Sequence, residues 1–379
     1  MRIGIQIDFA GGYGRGVLRG LLSFASLRSD WEFVMPPMYA LGRAKQLNLK
    51  GLSGVIAMVH SPRSVAPYRK TRVPVVNVAR TLSAKAMEEH KLVSVLPDDA
   101  AVGRLAFDYF HQRGFRSFAF CGHPTAEWSL LRGQAIADRC QEQGLFFSNA
   151  GAADQVNKAW LRSLPRPCAL LAANDRYAWH AIDACREAKI AVPEELAVLG
   201  VDNDTLFTEL MKPTLSSIDI NAERIGFHSA TVLSELIDAK SKATRTSFAP
   251  IELPPAGVVS RNSTDVLSIH DDVVAESVRF IRDNAATAIN VGDVLKHVAS
   301  SRRNLERRFR RAMGRSLHDE LQRVRLDRAC KLLRETDLDM LSVSRQCGFS
   351  NQFRFSTVFK NQLISTPTDY RKLNRVGLR

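Results

Sequence analysis

From residue 1 to about 260, short apolar runs alternate with amphipathic stretches. The runs are Arg2–Ile7, Trp31–Met35, Gly54–Val59, Pro74–Asn77, Leu92–Val95, Ser117–Cys121, Ala169–Ala173 and Ala197–Gly200. Gly, Pro, Asn or Asp bounds them, as in strands buried on both faces. Between them, Gly16–Ser26, Ala100–Arg113, Leu131–Gln143 and Tyr177–Lys189 carry helical periodicity. Such alternation predicts a parallel, doubly wound α/β architecture, and so many strands predict two lobes. A polar segment, SRNSTDVLSIHDD, follows. From Val273 to Tyr370 the period is helical, with candidate helices Asp272–Asn284, Val291–Ala299, Ser301–Met313, Leu317–Glu335, Leu341–Cys347 and Gln352–Gln362. The 379-residue chain is thus expected to hold an α/β domain over 1–262, a linker over 263–271 and an all-α domain over 272–379.

Charge sharpens this division. The chain carries 53 Lys+Arg against 39 Asp+Glu, a formal +14. Residues 264–379 hold 22 basic and 14 acidic side chains, about three times the net charge per residue of the first part. Nine arginines crowd between positions 302 and 325. A basic excess concentrated on one helical region predicts a polyanionic partner.

The segment SSRRNLERRFRRAMG begins with capping serines and ends at Gly314, a helix-stopping residue. Leu305 and Phe309 share one face, leaving Arg302, Arg303, Glu306, Arg307 and Arg310 mainly on the others, with Arg308 and Arg311 placed to touch either phosphate or nothing. A short helix and a tight turn precede it, the grammar of a helix-turn-helix reading a major groove. About 50 residues later the grammar recurs in LSVSRQCGFSNQFRFSTVFKNQL. There Phe355 and Phe359 take the apolar positions, and Gln352, Phe353, Ser356 and Thr357 match Arg302, Arg303, Glu306 and Arg307. The helix SLHDELQRVRLDRACKLLRET joins the units.

These motifs, with the closing STPTDYRK, resemble the DNA-binding domain of the AraC family. The resemblance implies two recognition helices on double-stranded operator DNA. Ile364 stands where many members have Gly, and a β-branched residue avoids positive φ, so that helix is expected to end differently. Phe353 and Thr357 depart from the polar or basic residues common there.

The first part carries a second resemblance. PCALLAANDRYAWHAIDACREAKIAVPEELAVLGVDNDTLFTEL and PTLSSIDINAERIGFHSATVLSELI are similar to the effector domain of LacI-type repressors and to periplasmic sugar-binding proteins. Polar groups at the carboxyl ends of parallel strands face the crevice where α/β folds bind ligands. Asp8, Tyr13, Arg15, Trp128, Arg132, Asn174, Asp175 and Asp202 occupy such places. Planar Asn, Asp and Arg groups pair sugar hydroxyls, and an aromatic ring covers a C–H face. The resemblance points to Arg132, Asn174, Asp175 and Asp202 as sugar contacts. Asp175 can equally cap the helix that follows, Trp128 can be core, and Arg15 can be surface.

A LacI-like sensor joined to an AraC-type DNA-binding domain resembles the XylR-type regulators of xylose catabolism. That implies D-xylose as effector, with another pentose, a hexose or a non-sugar ligand as the rival. It also implies a homodimer paired through the sensor, activation, and recruitment of RNA polymerase. Nothing points to catalysis, a metal or a cofactor: Gly11, Gly12, Gly14 and Gly16 lack the spacing of a nucleotide loop, and no metalloprotease or nucleophile-elbow motif occurs. Asp98-Asp99 reads as a helix N-cap region. Six scattered cysteines read as reduced, mostly buried thiols. With no apolar leader and no run long enough to span a bilayer, a cytoplasmic protein is expected.

Overall fold

The computed structural model describes residues 1–28, 30–36, 47–69, 71, 73–152, 155–238, 249–266, 269, 271–363 and 365–374. It divides into two compact units, Met1–Phe110 with Arg116–Val266, and His111–Phe115 with Leu267–Arg379. Ile364 lies outside the described residues.

The first unit contains two six-stranded sheets. One comprises β1 (Arg2–Gln6), β2 (Glu32–Val34), β3 (Gly54–Ala57), β4 (Val75–Asn77), β5 (Val93–Pro97) and β11 (Ile251–Leu253), ordered β11-β5-β4-β3-β1-β2. The other comprises β6 (Ser117–Cys121), β7 (Phe146–Asn149), β8 (Cys168–Ala172), β9 (Leu196–Val201), β10 (Ser216–Asp219) and β12 (Gly257–Val259), ordered β12-β10-β9-β8-β6-β7. All pairings are parallel except β10 with β12. The strands β3, β5, β8 and β9 are buried along their whole length, which explains their apolar sequence, broken only by Ser94 of β5. The chain passes between the sheets three times: from β5 to β6, after β10, and from β11 to β12.

Helix α1 (Gly12–Ala25) packs on α9 (Ala222–Asp238) beside the first sheet, and the short helices α2 (Pro62–Arg69), α3 (Ala84–Glu89), α6 (Lys158–Ser163) and α8 (Thr205–Thr208) belong to the same unit. The contact depends on glycine, because a Cβ at Gly20 would lie 1.8 Å from the Glu223 carbonyl oxygen and one at Gly226 2.0 Å from that of Val17. The glycine-rich stretch after β1 thus serves close packing: a Cβ at Gly14 would strike the Asp8 carbonyl and one at Gly12 the Asp204 side chain. On the second sheet, α4 (Asp99–His111) and α5 (Glu127–Glu142) cover one face, with Phe107 stacked on Phe118 of β6.

Ser263 and Thr264, expected in the linker, belong to this unit. They sit in a 3₁₀ turn, Asn262–Thr264, fully buried, and the Ser263 hydroxyl donates to the Val198 carbonyl at 2.6 Å.

The second unit is helical: α10 (Asp272–Asn284), α11 (Val291–His297), α12 (Arg302–Met313), α13 (Leu317–Glu335), α14 (Met340–Gln346), α15 (Gln352–Leu363) and α16 (Pro367–Asn374). Helix α13 is shared by two cores. Its Leu317 and Leu321 pack with Leu305, Phe309 and Val294 of the first helix-turn-helix. Its Leu326, Ala329 and Leu333 pack with Val343, Phe355 and Phe359 of the second. A capping box between Ser316 and Asp319 starts α13, and Gly314, at φ 72°, ends α12.

Candidate functional site

A cavity of about 210 Å³ opens at the carboxyl ends of strands from both sheets. That is below the roughly 300–1,000 Å³ of sites for drug-sized ligands, and suits a small polar molecule. Asp8, Tyr13, Trp128, Arg132, Asn174, Asp175 and Asp202 line it.

Arg132, on α5, is held from several sides. Its Nε donates to Asp99 Oδ1 at 2.8 Å, its Nη1 to the Ala173 carbonyl at 2.5 Å, and its guanidinium lies 5.1 Å from the Trp128 ring centre. Asp99 is fully enclosed and also faces Arg80, whose Nε lies 3.2 Å from Asp99 Oδ2. Arg80 follows β4 in the first lobe and Asp99 begins α4 in the second, so this buried triad spans the cleft. Asp99 is therefore not a cap; Asp98 has that role, accepting from the Ala101 N–H at 2.8 Å.

Asn174 caps the next helix, α7 (Asp175–Ala188), accepting from the Arg176 and Tyr177 amides, both at 3.1 Å. Asp175, the expected alternative cap, is buried beneath it. One oxygen accepts from the Ser217 hydroxyl at 2.6 Å, the other from the Asp204 N–H at 2.7 Å. Burial, then the Asp202 charge, push its pKa well above the carboxylate range. Tyr13 donates to the Val78 carbonyl at 2.6 Å, and burial raises its pKa.

Asp202 differs. It sits just past β9 at φ 105°, beside Asn203 at φ 51°, in backbone that non-glycine residues seldom adopt. Among the described residues none donates a hydrogen bond to its carboxylate. Burial pushes its pKa up to about 7, partly opposed by Arg132 and reinforced by Asp99, Asp204 and Asp219. A strained carboxylate with open acceptor sites is what a ligand's hydroxyls would satisfy.

Arg15 does not line the cavity. Its Nη1 donates to the Phe9 and Ala10 carbonyls at 3.0 and 2.9 Å, and its Nη2 meets Asp204 Oδ2 at 2.5 Å. Its charge is spent fastening the loop after β1 to the opposite lobe. Sequence reasoning passed over Arg80, Asp99, His60, Thr81 and Phe207, which also line the cavity. Arg80 lies just past β4, so the strand-end logic that found Asp202 also reaches it.

In the helical unit, Leu305 and Phe309 are fully buried while Arg302, Arg303 and Arg307 face outward. Glu306 is half-buried, with Oε2 enclosed and without a hydrogen-bond partner among the described residues. Arg308 is not free for phosphate: it binds Asp271 through two bonds of 2.7 Å, and Asp271 caps α10. On α15, Phe355 and Phe359 are buried, Gln352, Phe353 and Thr357 are exposed, and Ser356 is half-buried. Phe353 is 83 % exposed, and the Thr357 hydroxyl donates to the Phe353 carbonyl at 3.0 Å, so this helix presents a ring and a methyl group outward.

Residues 107–264 match a periplasmic binding protein-like domain, and residues 294–373 match a helix-turn-helix domain. The chain is 30 % identical over 373 residues to the xylose operon regulatory protein of Haemophilus influenzae, covering 95 % of both. It belongs to the family of xylose operon regulatory proteins. The Escherichia coli member is 29 % identical over 388 residues, covering 98 % of this chain and 97 % of the relative. The solved structure of a xylose-binding transcription activator, XylR, matches with a TM-score of 0.61 at 27 % identity, covering 99 % of this chain and 98 % of that one. This member of the family is a sugar-responsive transcription regulator with a periplasmic-binding-protein-like α/β unit and an AraC-type helical unit. Among the described residues no helix is long and apolar enough to cross a membrane.

Proposed function

We propose that this regulator takes D-xylose in the cavity of its α/β unit and activates genes of pentose catabolism through its helical unit. It works in the cytoplasm as a homodimer, binds paired half-sites of operator DNA, recruits RNA polymerase, and catalyses no reaction. The cavity carries the reading. It is small, sits at strand carboxyl ends of two lobes, and brings together a fixed guanidinium, Arg132, and a carboxylate, Asp202, to which no described residue donates. Those groups match the vicinal hydroxyls of a pentose, and Trp128 offers a ring for its C–H face. Xylose-regulator relatives over the full length support the choice of sugar.

Arg302, Arg303 and Arg307 pair with guanine edges or phosphate in one major groove, with Glu306 beside them, while Gln352, Phe353, Ser356 and Thr357 face the next. The sugar acts by linkage: it shifts the balance between two arrangements only as far as it binds one better than the other.

Calorimetric titration of the purified protein with D-xylose, L-arabinose, D-ribose and D-glucose tests the effector. D-xylose should bind tightest. Tight binding of another sugar with no heat from D-xylose would overturn the assignment.

A further inference from the structure

We propose that the cleft between the two helix-turn-helix units is a phosphate seat, filled by a DNA backbone phosphate lying between the two grooves that α12 and α15 read. This rests on the reading of the helical unit as DNA-binding.

The cleft encloses about 380 Å³ beside the first turns of α12 and α15 and along one flank of α13. Three arginines, Arg302, Arg325 and Arg354, and the ring of His318 line it, with no carboxylate among the described lining residues. Arg325 is only 7 % exposed, yet its partners are neutral carbonyls: Ala285 at 3.4 Å, Thr287 at 3.1 Å and Ile289 at 2.8 Å. Elsewhere in this unit Arg308, Arg315 and Arg323, all half-buried, meet Asp271 or Glu320, while the half-buried Arg334 and Arg371 meet the Tyr370 hydroxyl and the Leu338 carbonyl. Among the described residues Arg325 thus has hydrogen bonds and the Phe349 ring, 5.8 Å from its guanidinium carbon, but no carboxylate. Burial and the charge of Arg354 both press its pKa down.

Gln322 is 7 % exposed and lines the cleft beside Arg325. His318, Gln322 and Arg325 follow one another at helical spacing, one stripe of α13 facing the cleft. A tetrahedral anion supplies acceptors for the amide and guanidinium donors and the missing negative charge.

The position selects the source. Recognition helices meet base edges with their N-terminal residues, and this cleft lies between two such ends. A duplex read by both carries its backbone across the gap, and a phosphate held there fixes register without reading sequence.

The test uses full-length protein and a duplex recovered by selecting that protein against random DNA, with single methylphosphonate linkages placed across it. Arg354 is exposed, so Arg354→Gln leaves the core intact, and Gln322→Leu fills the same space; thermal melts matching wild type verify folding. One neutral linkage between the two grooves that one chain reads should weaken wild type about tenfold, as expected for a charge-assisted bond, and weaken Arg354→Gln no further. Arg354→Gln should also reduce the slope of log affinity against log salt by about 0.9. Identical methylphosphonate profiles and salt slopes in wild type and both variants would overturn the proposal. So would inorganic phosphate binding the DNA-free protein tightly through Arg354 with no linkage sensitive to neutralisation, which would make the ligand a free anion. Failure of wild type to select or bind any duplex would instead sink the DNA-binding reading itself.

Discussion

Replacing Asp202 by Asn preserves its shape and suits its backbone, because Asn tolerates positive φ better than most residues. What changes is charge, and two consequences of opposite sign follow. A carboxyl raised from 3.8 to about 7 in the folded state binds its proton more tightly there than in the unfolded chain. Its stability contribution is complete below pH 3.8 and lost as pH rises through 7, on the order of 4 kcal/mol in all. The Asn variant cannot ionise, so without ligand it should melt at higher temperature than wild type at pH 8, and the gap should close towards pH 5. Sugar binding should move the other way. If hydroxyls donate to the ionised form, wild-type affinity should follow its ionised fraction and rise about tenfold from pH 6 to pH 8. Losing a charge-assisted bond for a neutral one costs about 1–1.5 kcal/mol, so Asp202→Asn should bind D-xylose roughly five- to tenfold more weakly at pH 8 and nearly as well as wild type at pH 6. The variant also separates Asp202 from His60, whose pKa burial lowers. Calorimetry and thermal melts across this range read both effects. A variant that keeps the pH dependence, or is less stable than wild type at pH 8, would refute the reasoning.

Asp99→Ala leaves Arg80 and Arg132 buried without their shared carboxylate; urea unfolding should show a loss of about 3–5 kcal/mol, and a loss below 1 would deny the triad its role. Arg15→Ala cuts the link to Asp204 across the cleft, a partly exposed pair worth about 1 kcal/mol, so sugar affinity should fall a few-fold in calorimetry with operator binding unchanged; an unchanged sugar affinity counts against it. Arg307→Ala should weaken operator binding by about 1–3 kcal/mol in anisotropy titrations and leave sugar affinity alone, whereas undiminished operator binding removes Arg307 from the reading face.

Where one local signal decided the structure, it was visible in sequence. Ser117–Cys121 is continuous apolar sequence and forms β6 as expected. Asp272–Asn284 and Leu317–Glu335 match their helices because Asp271 and Ser316 cap them. Strand β10 was hidden because its Ser216 and Ser217 look like loop residues; both are buried and satisfied by Arg261, Ser263 and Asp175. The edge strands β7, β11 and β12 and the short α16 had too little apolar periodicity to register. At the cavity, its strand-end position gave Asp202 away, while Arg132, inside α5, came from the resemblance and not from a strand end. Asp99 stayed hidden because its pairing with Arg80 joins different lobes, and Arg15 was misplaced because its partner, Asp204, is 189 positions away.

The central claim is that a sugar in the α/β unit controls DNA bound by the helical unit. Anisotropy titration of a selected operator with and without saturating D-xylose, paired with D-xylose calorimetry with and without operator, tests it directly. Linkage predicts that D-xylose raises operator affinity by a factor of about 5–150 and that operator raises D-xylose affinity by the same factor. Operator affinity unmoved by D-xylose that binds the cavity would contradict the account.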